Sequence, residues 1–178
     1  MRKLHTDELN RISVEEFKNT KKNPFVLLLD NVRSMHNVGS AFRTADAFLA
    51  QKIYLCGITG TPPHREITKT ALGSTESVAW EYVKESVALI EQLRSQGYTI
   101  VVVEQVEQST LLPMFHVKKN EKYCFIFGNE VFGVDEKLVT AADICLEIPQ
   151  YGTKHSLNIS VSIGIIVWDY VAKLHYLT

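Results

Sequence analysis

Short, fully apolar runs alternate along this chain with segments whose apolar positions recur at helical spacing. Phe25-Val26-Leu27-Leu28-Leu29 is apolar at every position and stops at Asp30-Asn31, the pattern of a parallel strand covered on both faces. Val38, Ala41, Phe42, Ala45, Phe48 and Leu49 then recur three or four apart, which predicts a helix from about Asn37 to Ala50. Ile53–Cys56 reads as the second strand, and Ser77–Val83 as a short one. Between them, residues 57–75 carry Gly57, Pro62-Pro63 and Gly73 and read as a long loop. Glu85–Gln96 is an amphipathic helix stopped by Gly97. Further strands are expected at Tyr98–Val103, Tyr123–Phe127 and Ile144–Ile148. A short helix is expected at Asp135–Ala142 and a long apolar one at Ser156–Leu174. The alternation predicts the α/β class, a parallel sheet flanked by helices. Residues 1–24 are polar and of mixed charge, with Asp7 and Ser13 as candidate caps, and read as an arm before a single domain at 25–178.

Composition changes this picture little. The chain has 178 residues, enough for one domain with a real core, and its 46% hydrophobic content is ordinary for a globular protein. Cys56, Cys124 and Cys145 are odd in number and far apart, each within a strand-like run, so buried free thiols in a reducing, cytoplasmic setting are expected. The first residues have no apolar signal core, and Leu157–Trp168 is too short to cross a bilayer. The histidines and cysteines lack metal-ligand spacing, so no metal is expected. The net charge of −1 gives no general attraction to a polyanion, yet Arg33, Arg43, Lys52, Arg65 and Lys69 face only Asp46 and Glu66 between residues 33 and 69.

Ligands of open α/β sheets bind beyond the carboxyl ends of the strands, and three such ends here are unusual. At the first, Asn37 is a candidate helix cap and Arg43 follows six residues later, a pairing suited to a phosphate or polar substrate. The second, Gly128-Asn129-Glu130-Val131-Phe132-Gly133, is a tight loop where backbone can approach a ligand. The third runs from Ile148-Pro149-Gln150 through Gly152 to Ser156-Leu157-Asn158. There Ser156 is a candidate cap, and Asn158 and Ser160 sit in an otherwise apolar helix and call for polar partners. Neither a dinucleotide fingerprint nor a Walker A sequence is present.

Singly these segments are unspecific; three in order, each at a strand end, are not. From about Phe25 to Ala172 the chain resembles the SpoU, or TrmH-like, branch of the SPOUT RNA 2′-O-ribose methyltransferases. Asn37 and Arg43 match the family's first motif; Gly128, Glu130 and Gly133 match the second. Ile148-Pro149, Gly152 and Ser156-Leu157-Asn158 match the third. The resemblance implies a C-terminal deep trefoil knot, a homodimer, and S-adenosylmethionine held bent by backbone at Gly128, Ile148, Gln150 and Leu157, with Val103 and Glu104 closing one side. It implies that Arg43 meets the ribose 2′-OH, that Asn37 positions Arg43 or the ribose, and that Ser156 and Asn158 hold phosphate or backbone. Glu130 is left two roles, a pair with Arg43 or orientation of the cofactor loop. His36 and His155 flank the motifs. The chain departs from the family at Gln150, where methionine is common, and at the polar stretch Thr153-Lys154-His155.

The resemblance makes RNA the expected partner, with Arg33, Arg43 and Arg65 as contacts and the basic residues of the arm in support. Transfer RNA is favoured over ribosomal RNA because no folded RNA-binding domain precedes Phe25. Two other readings stay open: an RNA-binding protein that keeps this fold without catalysis, and an unrelated small-molecule enzyme with a flavodoxin-like sheet.

Overall fold

A computed structural model describes residues 1–177; Thr178, the last residue of the expected domain, lies outside the described residues. Seven parallel strands form one sheet in the order β3-β2-β1-β6-β4-β7-β5. In chain order they are β1 (Phe25–Asp30), β2 (Lys52–Cys56), β3 (Trp80–Val83), β4 (Tyr98–Val103), β5 (Thr110–Leu111), β6 (Lys122–Phe127) and β7 (Ile144–Glu147). The helices are α1 (Val14–Asn19), α2 (Met35–Ala47), α3 (Arg65–Ala71), α4 (Ser74–Ser77), α5 (Ser86–Ser95), α6 (Glu136–Ala141) and α7 (Ile159–His175).

Strand β1 shows why the runs are uniformly apolar. Phe25, Leu27 and Leu29 face one core with Val38 and Phe42 of α2 and Ile163, Val167 and Tyr170 of α7. Val26 and Leu28 face the other, with Leu89, Ile90 and Leu93 of α5 and Leu138 of α6. Successive side chains point to opposite faces, so a strand covered on both sides must be apolar throughout.

Several boundaries differ from the sequence reading. Helix α2 starts at Met35, two residues early, because the Ser34 hydroxyl is the cap and accepts the N–H of Asn37 at 3.3 Å. The expected loop at 57–75 contains α3 and the start of α4, and the strand expected from Ser77 begins only at Trp80. The last helix starts at Ile159. Asn158, expected inside it, is its cap and accepts the N–H of Ser160 at 2.8 Å. Asn158 is exposed, so its polarity is explained by capping and not by a buried partner. Cys56 and Cys124 are buried as expected, and burial pushes the Cys56 thiol up to about 12, while Cys145 is only half-buried. No described helix is long and apolar enough to cross a membrane.

The arm divides at Ser13, whose side chain caps α1 in a reciprocal box with Glu16. Asp7, the other candidate, does not cap; His5 occupies the cap position of the preceding 3-10 turn. Phe17 of α1 is buried in the main core, with the Lys22 ammonium over its ring. Truncation to residue 12 is therefore expected to leave the thermal midpoint unchanged. Removal of residues 1–22 forfeits a core phenylalanine, a loss of about 3–5 kcal/mol. Thermal melts of the two truncations distinguish the halves of the arm, and equal midpoints would contradict this division.

Candidate active site

Strands β1 and β6 are neighbours, so the loops that leave their carboxyl ends meet. The Glu130 carboxylate, after β6, accepts the N–H groups of Arg33 and Ser34 and the side-chain amide of Asn37, each at 3.0 Å. Asn129 beside it donates to the Asn31 carbonyl at 2.8 Å. The first two motifs are thus one hydrogen-bonded unit. Burial alone would raise the Glu130 pKa, but the Arg33 N–H, the Asn37 amide and the Ser34 N–H outweigh it and hold the carboxyl below the usual range. A depressed carboxylate stabilises the fold above its unfolded pKa, near 4.3, and loses that contribution as pH falls through the folded value. Glu130→Gln is accordingly expected to lower the thermal midpoint at neutral pH and to converge with the parent protein in acid. A constant gap between the two melting curves from neutral pH to below 4 would contradict it.

The loop itself closes tightly. Asn129 and Gly133 exchange both backbone hydrogen bonds at 2.9 Å. Asn129 Oδ1 also accepts the N–H of Val131 at 2.9 Å and of Phe132 at 3.1 Å. Gly133 has φ +71°, and a Cβ there would lie 2.3 Å from Glu104 Oε2. That carboxylate instead accepts the N–H of Val134 at 3.1 Å and of Gln105 at 2.9 Å. Gln105 in turn donates to the His155 carbonyl at 2.8 Å, which ties the loop after β4 to the one before α7.

These loops enclose a cavity of about 540 Å³. Val103, Glu104, Gly128, Ile148, Gln150 and Leu157, the six residues expected at the cofactor, all line it. Glu130, Ser156 and Asn158 line it too; Asn37 and Arg43 do not. The charged lining residues are Glu104, Glu130 and Glu147, with no lysine, arginine or histidine among them. Phe127, Leu146 and Ile159 add apolar wall. The cavity is therefore suited to a ligand that carries positive charge beside an apolar group.

Some expected pairings are not formed. The Arg43 side chain is exposed and makes no ion pair or hydrogen bond among the described residues, so Glu130 pairs with Asn37 and not with Arg43. Six residues on a helix turn through about 240°, which places the two side chains on different faces of α2. Asn37 is buried against Glu130 rather than capping α2 or positioning Arg43. His36 Nε2 meets Glu66 at 2.5 Å and joins α2 to α3. Arg33 and Arg65 are exposed. Residues that sequence reasoning missed include Gln105 and Glu147 on the cavity wall. Glu147 immediately precedes the third motif at a strand end, a position that singles it out; Gln105 carries no such signal.

The SpoU rRNA Methylase family model matches residues 24–168. A 23S rRNA (guanosine-2′-O-)-methyltransferase of Neisseria meningitidis is 28% identical over 164 residues, 89% of this chain and 62% of that protein. A tRNA (guanosine(18)-2′-O)-methyltransferase of Borreliella burgdorferi is 27% identical over 97% of this chain and 77% of its own length. The chain thus spans less than two thirds of the first relative and about three quarters of the second. A crystal structure of the A. aeolicus TrmH/SpoU tRNA modifying enzyme superposes with a TM-score of 0.79 at 26% identity, covering 90% of this chain and 81% of that one. An AdoMet-bound rRNA methyltransferase from Sinorhizobium meliloti gives 0.78 at 25% identity, covering 91% and 61%. Both superpositions agree with the expected parallel α/β sheet. The match covers all three motif loops and most of the chain, which belongs to the SpoU rRNA Methylase family.

Proposed function

We propose that this protein transfers a methyl group from S-adenosylmethionine to a ribose 2′-OH of RNA. The observation that carries the reading is the cavity at the ends of β4, β6 and β7, whose only charged lining residues are acidic. A sulfonium and an ammonium suit that wall, and the apolar residues suit an adenine. When bound, S-adenosylmethionine supplies an electrophilic methyl group. Gly128, Ile148, Gln150 and Leu157 hold it with backbone groups, and Val103 and Glu104 close one side. Glu130 acts by holding Asn37 and the loop after β1 in register with this cavity.

Arg43 orients the 2′-OH and its phosphate and stabilises the alkoxide that develops as the proton leaves to water. It is not the base, because a guanidinium offers five N–H donors and no acceptor for the proton. Ser156 and Asn158 hold phosphate or backbone at the cavity mouth. Arg43 does not line the cavity of its own chain. We therefore place it at the cavity of a second copy in a homodimer assembled through α2 and α7. Val161 and Trp168, both exposed on α7, give that dimer an apolar surface. The C-terminal segment forms the family's trefoil knot, and the protein works in the cytoplasm.

Light scattering at micromolar concentration is expected to show the dimer. Mixing Arg43→Ala with Gly128→Ala chains is expected to restore one working site per mixed dimer. A monomer, or no recovery on mixing, would contradict the shared site.

Relatives that act on tRNA and on rRNA both match, so the lean toward tRNA gains nothing from them. Arg33, Arg65 and the arm supply phosphate contacts. Arg2 is paired with Glu8 and Lys22 with the carbonyls of Phe17 and Thr20, whereas Lys3, Arg11, Lys18 and Lys21 are exposed with no ion pair among the described residues. Transfer of labelled methyl from S-adenosylmethionine to bulk tRNA or rRNA, followed by mapping of the 2′-O-methylated nucleotide, tests the function. Binding of RNA without any transfer would favour the reading of a catalytically inactive RNA-binding protein.

A further inference from the structure

We propose that the base of the nucleotide being methylated is held in a second cavity, stacked on Phe132. This rests on the RNA methyltransferase reading above and adds to it a base-binding subsite. The second cavity, of about 560 Å³, lies at the same carboxyl edge of the sheet, within the size range of small-molecule sites. Its wall includes Asp30 and Asn31 at the end of β1, together with Arg33 and Ile58. The two cavities share Asn129, Phe132 and Gly133, so the loop after β6 is the partition between them. A nucleotide whose ribose sits at the first cavity has the second within reach of its base.

Phe132 lies on the shared partition and is 85% exposed. Leaving a phenyl ring in water forgoes the stabilisation of burying it. A slack loop does not explain the exposure. The Phe132 N–H is bonded to Asn129 Oδ1, Asn129 and Gly133 exchange both backbone bonds, and Asn129 is tied to Asn31. A fixed, exposed aromatic face beside a cavity is what stacking an unpaired base requires.

The floor adds a chemical preference. Asp30 is 1% exposed; its Oδ2 accepts from the Asn31 side chain at 3.2 Å, and its Oδ1 has no hydrogen-bond partner among the described residues. Asp135 and Glu136 stand on the same wall, and Arg33 is the single cation among the lining residues. The negative potential favours a base that turns amino or imino N–H groups inward over one that presents carbonyl oxygens.

The test uses the full chain with S-adenosylhomocysteine present. Affinity is measured for a short oligoadenylate and for an abasic ribose-phosphate strand of the same length. Phe132→Ala is expected to weaken oligoadenylate binding roughly 5- to 150-fold, the range for loss of one base–aromatic stack, and to leave the abasic strand unchanged. Phe132→Trp is expected to restore binding, with S-adenosylhomocysteine saturating for each variant because Phe132 also lines the first cavity. On an RNA that accepts label, the alanine variant is expected to lose kcat/KM by a similar factor. Equal weakening of both strands, or no weakening of either, would overturn the proposal. So would a change in oligomeric state with RNA affinity intact, since Phe132 would then be a subunit contact. The oligonucleotide measurements need no catalysis, so a parent protein that transfers no label speaks against the methyltransferase reading alone.

Discussion

Arg43→Ala is expected to lower the rate of methyl transfer by about 10²- to 10³-fold while leaving affinity for S-adenosylmethionine within a few fold. The side chain is exposed, makes no ion pair among the described residues, and does not line the cavity beside Gly128. Removing it therefore costs neither the fold nor the cofactor wall. A surface substitution of this kind changes stability by less than about 0.5 kcal/mol, so the thermal midpoint should hold. On the proposed mechanism, what is lost is a planar fork that binds the ribose hydroxyl and a phosphate oxygen together. Arg43→Lys keeps the charge without the fork and should recover only part of the rate. Calorimetry with S-adenosylmethionine and a filter assay with labelled methyl separate binding from transfer. An alanine variant with most of its activity would remove Arg43 from the mechanism.

Strands β1, β4 and β6 were legible because burial on both faces demands uninterrupted apolar runs such as Phe25–Leu29 and Tyr98–Val103. The six residues expected at the cofactor fall on one cavity because motifs at parallel strand ends are brought to the same edge by the sheet itself. Helix α3 was hidden by Pro62-Pro63 and the glycines at 57 and 60, which mark a loop but do not forbid a short helix beyond it. Asn158 escapes a reading by periodicity because a cap one residue before an apolar helix looks like a polar residue within it. The bond between Asn37 and Glu130 spans 93 residues and depends on β6 inserting beside β1. No local pattern encodes that strand order. The partner of Glu130 was therefore open between Arg43 and the loop until the two strand ends were placed side by side.

At that same edge Gly128 leaves no room for enlargement. Gly128→Ala is expected to weaken S-adenosylmethionine binding roughly 10- to 100-fold, as follows when overpacking of about 1–3 kcal/mol falls on the binding loop. A Cβ at Gly128 would lie 2.3 Å from the carbonyl carbon and oxygen of Gly133 and from the N atom of Val134. All three are backbone atoms, so no side chain can rotate away. The loop would have to open, against the paired Asn129–Gly133 bonds and the bond from Val134 N–H to Glu104. Opening moves the cavity wall at Gly128 and Gly133 and also Glu130, which holds the loop after β1. Gly128 does not have positive φ, so the penalty is steric and not conformational. Gly152 provides the control: it lies in the third motif, but a Cβ there meets nothing within 4 Å. Gly152→Ala should bind cofactor like the parent protein. Calorimetric titration of the two variants reads the difference directly. Equal affinities would mean that the loop yields without disturbing the cavity, and that its backbone does not hold the cofactor.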